Sequence, residues 1–168
     1  MRADYDVWPE PVTPAIGELA PSVGTPTAAD VGGDLAQLST DDDPEPRLYE
    51  TSIADALAAG EPFVVAFATP AFCESATCGP TLETLKAVAA DHPDVTFINV
   101  EPYVMEMRDG RLQPVLDASG QLQAAAWTTA WRLLTEPLVA VVDADGAVRA
   151  KFEGALAADE LESAIEAL

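Results

Sequence analysis

The sequence contains little cysteine, little histidine and little positive charge. Two cysteines and one histidine occur in 168 residues. Two cysteines are too few for a disulfide scaffold, and this ligand set is too small to predict a metal site. Only 8 basic residues stand against 29 acidic ones, for a net charge of -21. Phosphate binding requires clustered Lys and Arg, so we expect no nucleic-acid partner.

Long hydrophobic runs are also absent. The apolar runs have the length of β-strands, which is too short to span a bilayer. The first six residues, Met1–Asp6, are acidic and no apolar stretch follows them, so they do not resemble a signal peptide. This pattern predicts either a cytoplasmic protein or one whose export segment has been removed or lies upstream of this start.

The composition divides the chain near residue 46. Residues 1–46 hold half of the 14 prolines and end in an acidic, proline-containing run at 41–46. This composition favours an extended tether or strap. We therefore predict one folded domain over residues 47–168.

Helix and strand patterns alternate through this predicted domain. Ser52 and Gly60 are suited to cap a helix over Ile53–Ala59. Residues 101–119 give a weak signal that fits a loop or a hairpin insertion. The other predicted elements are strands at 63–68, 95–100, 138–142 and 147–152, and helices at about 80–90, 121–133 and 157–167. This order predicts an α/β sandwich around a four- or five-stranded sheet.

Within the predicted helix at 121–133, three apolar residues recur at a spacing of four. These residues are Leu122, Ala126 and Ala130. We expect them to face the core on one side of that helix.

Cys73 and Cys78 lie between a buried apolar run and a predicted helix. Open α/β folds place their functional sites at this carboxyl edge of the sheet. The amino terminus of a helix presents unpaired N–H groups and partial positive charge, which stabilise a thiolate. The position therefore indicates redox chemistry, although a structural disulfide or two inert thiols remain alternatives.

The spacing of the two cysteines limits the local structure. Residues five apart in a helix are separated by about 7.5 Å along its axis, whereas a disulfide needs Cα atoms within about 4.4–6.8 Å. If Cys73 and Cys78 pair, the residues between them cannot all be helical. Pro80 favours a helix that begins near it, and the alternative is a helix from about Ser75 that is kinked at Pro80.

Residues 50–168 resemble the thioredoxin superfamily. The ungapped interval from Pro80 to Glu101 matches the family spacing from its helix proline to the end of the next strand. The segment Thr135–Gly146 is similar to the cis-proline strand and following hairpin, with Pro137 as the proline. The combined Phe-Ala-Thr-Pro, Cys-x4-Cys-Gly-Pro and Thr-Glu-Pro motifs most resemble bacterial envelope-associated thioredoxin-like proteins.

The resemblance implies a three-layer sandwich and thiol–disulfide exchange with cysteines of other proteins, without a cofactor. Cys73 is then the attacking thiolate, Cys78 the resolving thiol, and Pro137 the residue that presents backbone to the substrate. Phe72, Thr135 and Glu136 are the corresponding candidates for the substrate groove. An extracytoplasmic or envelope location is also implied.

Two other functions remain open at the level of sequence. The first is a peroxiredoxin-like thiol peroxidase, because a Cys-x4-Cys pair also occurs in that branch of the superfamily. However, Thr69 lies four residues before Cys73 rather than three, and no arginine is placed to activate a peroxide. The second is a non-catalytic binding module that uses the cysteines only as a structural disulfide.

Overall fold

A computed structural model of the protein describes residues 12–73 and 75–168. In that part of the chain, no helix combines the length and the apolar character needed to cross a membrane. The α-helices are α1 (Ile53–Ala59), α2 (Cys78–Asp91), α3 (Ala126–Ala130) and α4 (Ala158–Glu166). The strands are β1 (Phe63–Phe67), β2 (Thr96–Val100), β3 (Met105–Arg108), β4 (Arg111–Pro114), β5 (Leu138–Val142) and β6 (Val148–Glu153).

The central sheet is mixed, and among the described residues it has four strands in the order β2-β1-β5-β6. β1 and β2 are parallel, with Phe67 opposite Val100, so their carboxyl ends meet at one edge. β5 runs antiparallel to both β1 and β6. Every residue of β1 and β5 is buried. Continuous apolar runs form these strands because helices cover both faces of the sheet.

The two faces of the sheet form two hydrophobic clusters, which makes the fold a three-layer sandwich. On one face, residues of α2 and α4 such as Leu85 and Leu161 pack against Val64 and Val141. On the other face, Ile53 of α1 and Trp131, which follows α3, pack against Val65 and Phe67. The Phe67 and Trp131 rings lie 5.1 Å apart between centroids.

Local signals determine the ends of α1, whose predicted bounds are confirmed. The Ser52 hydroxyl accepts a hydrogen bond from the Asp55 N–H at 3.1 Å. Gly60 ends the helix with a φ of +66°, a left-handed conformation that favours glycine. Both ends therefore depend on residues adjacent in the chain.

The predicted helix at 121–133 is wrong in its first half. Only Ala126–Ala130 is helical, and Leu122 instead forms an isolated β-bridge with Leu116. The Gln123 N–H donates to the Val115 carbonyl at 2.9 Å, so backbone groups that a helix would have paired locally are bound across the chain.

The predicted inward face of that helix is also wrong. Ala126 and Ala130 are exposed, whereas Ala125, Thr128 and Trp131 are buried. The buried residues follow a spacing of three, so a different face of α3 packs against the core. Residues 101–119, which fitted a loop or a hairpin insertion, contain the β3–β4 hairpin.

Residues 12–52 lie along the sandwich and contact it at several points. Leu19 forms a β-bridge with Ala147, and the Ala54 N–H donates to the Val23 carbonyl at 3.1 Å. The Tyr49 hydroxyl donates to Ser39 at 2.8 Å within the protein interior. The division at residue 46 stays a prediction, and residues 1–11 of the predicted strap lie outside the described residues.

Candidate functional site

Cys73 and Cys78 form a disulfide, with their Cα atoms 6.0 Å apart. α2 begins at Cys78, with Thr77 as its N-cap residue. Residues 75–77, which lie between the cysteines, are not helical, as the spacing of a disulfide pair requires. Pro80 is the third residue of α2, where a missing N–H breaks no bond inside the helix. The alternative helix from Ser75 with a kink at Pro80 is not adopted.

The two sulfur atoms have different surroundings. Cys78 is 0% exposed, whereas Cys73 is half-buried. The Cys78 N–H, at the first position of α2, donates to Cys73 Sγ at 3.3 Å. A helix amino terminus carries partial positive charge, so this contact stabilises negative charge on the Cys73 sulfur. Access and electrostatics therefore both favour Cys73 as the reactive sulfur.

Ser75 links the disulfide to the segment that contains Pro137. Its hydroxyl oxygen lies 3.3 Å from Cys73 Sγ and donates to the Glu136 carbonyl at 3.2 Å. The Thr77 hydroxyl lies 2.7 Å from the same oxygen. The Glu136–Pro137 peptide bond is cis, as the sequence predicts. One side chain therefore connects Cys73 Sγ with the backbone of the cis-proline segment.

The groove candidates fall into two separate grooves. Thr135 and Glu136 line one of about 480 Å³, together with Leu116 and Leu134. The Glu136 carboxylate accepts a hydrogen bond from the Tyr103 hydroxyl at 2.9 Å. The carboxylate is therefore bound to the segment before the β3–β4 hairpin, while the carbonyl of the same residue faces Ser75.

Phe72 lines the other groove, on the side of the disulfide nearer to residues 36–44. This groove measures about 560 Å³ and is also lined by Asp42, Arg111 and Leu112. The sequence placed Phe72, Thr135 and Glu136 in one set of groove candidates. The structure instead divides them between two grooves, and residues of the 101–125 segment contribute to both.

A buried carboxyl group lies at the same edge of the sheet. Glu101 directly follows β2 and is 4% exposed. Its Oε1 accepts hydrogen bonds from the Thr40 N–H at 2.7 Å and the Thr40 hydroxyl at 2.8 Å. The Ala71 N–H donates to the same Thr40 hydroxyl oxygen at 3.2 Å. Glu101 is therefore connected through Thr40 to the loop that carries Cys73.

Burial determines the protonation of Glu101. Desolvation raises the pKa of this carboxyl to about 7, and the nearby Thr69 hydroxyl and the hydrogen bonds from Thr40 only partly oppose that rise. The Thr69 hydroxyl lies near enough to lower this pKa, although its oxygen does not meet hydrogen-bond geometry with the carboxylate. Glu101 thus titrates near neutral pH beside the disulfide loop.

Sequence reasoning missed Ser75 and the buried environment of Glu101. Ser75 was detectable as a hydroxyl between two cysteines, a position from which it can reach either sulfur. Glu101 was detectable as an acidic residue that directly follows an apolar strand at the sheet edge. Its burial depends on Thr40, which is 61 residues away in the chain and gives no local signal.

No protein-family model matches the chain, and no curated protein matches it in sequence. Two solved structures from Mycobacterium tuberculosis are similar to it. The first is DsbF, determined in mixed oxidised and reduced forms, with 24% identity, a TM-score of 0.49, and coverage of 71% of this chain and 90% of that one. The second is a secreted disulfide oxidoreductase homologous to Escherichia coli DsbE. It shares 22% identity, with a TM-score of 0.50 and coverage of 80% of this chain and 97% of that one.

At 22% identity, the similarity to the second structure is evidence for a shared fold. The second structure spans most of both chains, and the sheet order, the three layers and the cis-proline described above agree with the predicted architecture. The chain therefore has a thioredoxin-like fold.

Proposed function

We propose that the protein is a thiol–disulfide oxidoreductase that exchanges electrons with cysteines of other proteins through Cys73 and Cys78. The observation that carries this proposal is the asymmetry of the disulfide. Cys73 is accessible and accepts a hydrogen bond from the helix terminus, while Cys78 is fully buried. A disulfide with one accessible sulfur permits attack by a partner thiolate at that sulfur.

The exchange is balanced in atoms and electrons. A client thiolate attacks Cys73 Sγ, the Cys73–Cys78 bond breaks, and Cys78 leaves as a thiolate. A second client thiolate then attacks the client sulfur of the mixed disulfide and releases the Cys73 thiolate. The client gains a disulfide, and the cysteine pair gains two electrons. In the opposite direction, the Cys73 thiolate attacks a client disulfide and Cys78 resolves the intermediate.

The cis-proline segment is the proposed binding surface for the client. Pro137 would present its backbone to an extended client strand, with main-chain hydrogen bonds providing affinity and neighbouring pockets providing specificity. Thr135 and Glu136 would contact one side of such a strand, and Phe72 the other. The split of these residues into two grooves supports a client that crosses the disulfide.

We also propose an extracytoplasmic location. A disulfide persists in oxidising compartments, whereas cytosolic thiols are kept reduced. One of the similar structures is a secreted protein. Fractionation of cells that produce the full-length protein, followed by blotting, checks this location.

Trapping of mixed disulfides tests the exchange chemistry. We expect Cys78→Ser to accumulate covalent adducts with client proteins, because Cys73 can attack but no thiol resolves the product. Cys73→Ser is the matched control and should form few adducts, since its remaining thiol is buried. Abundant adducts on Cys73→Ser alone would reverse the roles of the two cysteines.

Two further measurements separate this function from the alternatives. A thiol peroxidase would consume hydrogen peroxide at the expense of a thiol reductant, and we expect no such turnover above the background. A structural disulfide would have a reduction potential well below about -300 mV, whereas we expect a value within the range of exchange proteins. A potential below that limit, with no adducts from either variant, would exclude the proposed function.

A further inference from the structure

A third cleft, separate from the two grooves described above, lies between residues 26–38 and the end of β2. Its volume is about 220 Å³. An apolar cavity of about 150 Å³ is large enough to bind benzene, so this cleft can hold a molecule with one ring and a short substituent. It is too small for a folded partner.

The walls of the cleft combine apolar and aromatic side chains. Leu38 and Met105 contribute aliphatic and thioether surface. Three aromatic rings also line it, those of Tyr49, Tyr103 and Trp127. Aromatic rings attract organic cations through their quadrupoles, and the attraction strengthens where water is excluded.

Two buried acceptors also line the cleft. Asn99 is 1% exposed and Glu101 is 4% exposed. Asn99 Nδ2 donates to the Tyr49 hydroxyl at 3.1 Å. Asn99 Oδ1 and Glu101 Oε2 have no hydrogen-bond partner among the described residues. Reversal of the Asn99 amide would leave its nitrogen unpaired instead, so one polar atom of this side chain is left over in either assignment.

Buried polar atoms normally have partners, and an unpaired acceptor calls for a donor. Carboxylate and amide oxygens together accept from N–H groups, and the carboxylate additionally favours a positive charge. The net charge of -21 raises the concentration of cations near the surface. The charge, the aromatic lining and the unpaired acceptors therefore all favour an organic cation that carries N–H groups.

We propose that this cleft binds a small organic ammonium ion with an apolar body, whose N–H groups pair with Glu101 and Asn99. The apolar body would occupy the space beside Leu38, Met105 and Trp127. This binding is independent of the redox function, because no residue of the disulfide lines the cleft.

Benzylammonium is the probe for this site, and benzyl alcohol is its neutral counterpart of similar shape. The reporter is the indole N–H resonance of Trp127, which donates to the Glu101 carbonyl at 2.7 Å. We expect benzylammonium to shift this resonance saturably at pH 8, above the pKa of about 7 of Glu101, and in about 0.15 M salt, which screens distant surface charge. We expect affinity for benzylammonium to exceed that for benzyl alcohol at least tenfold.

Two variants make the test specific. Glu101→Gln should remove the preference for benzylammonium while keeping the shape of the side chain. Glu18→Gln removes one exposed carboxylate remote from the cleft and should leave the preference unchanged. Failure of benzylammonium to saturate the resonance would overturn the proposal, as would equal affinity for the two probes. Retention of the preference in Glu101→Gln would show non-specific attraction by the acidic surface and would also overturn it.

Discussion

Two polar networks lie at the same edge of the central sheet and differ in their access to water. One follows β1 and joins Ser75, Thr77 and Cys73 at the surface. The other follows β2 and joins Glu101 to Thr40 in the interior. Their origin is common, because β1 and β2 are parallel and end side by side.

Burial gives the two networks different properties, although both lie at one edge of the sheet. The exposed network leaves a sulfur where a partner can reach it, and its hydroxyl groups lose little hydration. The interior network holds a carboxyl that water does not solvate, so its charge state depends on pH in the neutral range. The first arrangement suits chemistry with a partner, and we expect the second to make stability depend on pH.

The largest expected effect concerns Glu101. Glu101 has a pKa of about 7 in the folded protein, whereas the pKa of an unperturbed glutamate, which represents the unfolded chain, is 4.5. Stability should therefore fall as pH rises through this interval, by on the order of 3 kcal/mol at about 1.4 kcal/mol per pKa unit. Denaturant unfolding from pH 4.5 to pH 8 measures the slope.

Glu101→Gln is the decisive variant for this comparison. It should remove most of the slope and be more stable than the wild-type protein at pH 8. The carboxylates whose pKa is lowered lose their contribution only as pH falls below about 4.5, and they are those of Glu18, Asp30, Asp117 and Asp143. An unchanged slope in Glu101→Gln would show that the interior network does not control stability in this range.

A smaller effect is expected from Thr40→Val. This change removes the hydroxyl that donates to Glu101 and accepts from the Ala71 N–H. Loss of a bond to this buried carboxyl should lower the free energy of unfolding by about 1–3 kcal/mol. The hydroxyl lowers the pKa of Glu101, so its removal should also move the pH-dependent limb to higher pH.

Thr129→Val is the matched control for that experiment. Thr129 is exposed, and its hydroxyl donates to the Ala125 carbonyl and takes no part in the bonds between Thr40 and Glu101. We expect no displacement of the pH-dependent limb in this variant. An equal displacement in both variants would show that the displacement in Thr40→Val does not arise from the lost bond to Glu101.

The smallest change in stability is expected from Ser75→Ala, in the exposed network. Ser75 is exposed, so the free energy of unfolding should change by less than about 0.5 kcal/mol. In the reduced protein, we expect the hydroxyl to turn its one hydrogen from the Glu136 carbonyl to the Cys73 thiolate, which lies within reach. Alkylation of reduced Cys73 by iodoacetamide at neutral pH should therefore slow by a few-fold.

Ser119→Ala provides the comparison for this rate. The Ser119 hydroxyl donates to the exposed Asp117 carboxylate, far along the chain from the cysteines. In reduced Ser119→Ala, Cys73 should be alkylated at the wild-type rate. Ser75→Ala could instead lose much stability and keep the wild-type rate of Cys73 alkylation. That result would show that the exposed network, like the interior one, affects stability rather than reactivity.

Most strands were predictable because their signal is a continuous apolar run. The runs at 63–68 and 138–142 contain β1 and β5, and both are buried on two faces. The Asp143–Gly146 turn was likewise predictable, since Gly146 has a φ of +80° and follows aspartates suited to a turn. Here the local preference and the tertiary structure agree.

The helix at 121–133 was predicted too long for a physical reason. Alanine and leucine at a spacing of four have high helix propensity, but propensity is weak compared with tertiary contacts. The residues before Ala126 pair with 104 and 115–117, where the β3–β4 hairpin presents unpaired backbone groups. A sequence window of this length does not include both partners.

The sequence by itself determined the bounds of α1, the buried strands and the need for a non-helical turn between Cys73 and Cys78. Each depends on capping, apolar runs or spacing within a few residues. Only the tertiary structure decided that Ser75 lies beside the Glu136 carbonyl and that Thr40 covers Glu101. Each of these contacts joins residues 61 apart in sequence, so chain folding, rather than local preference, brings them together.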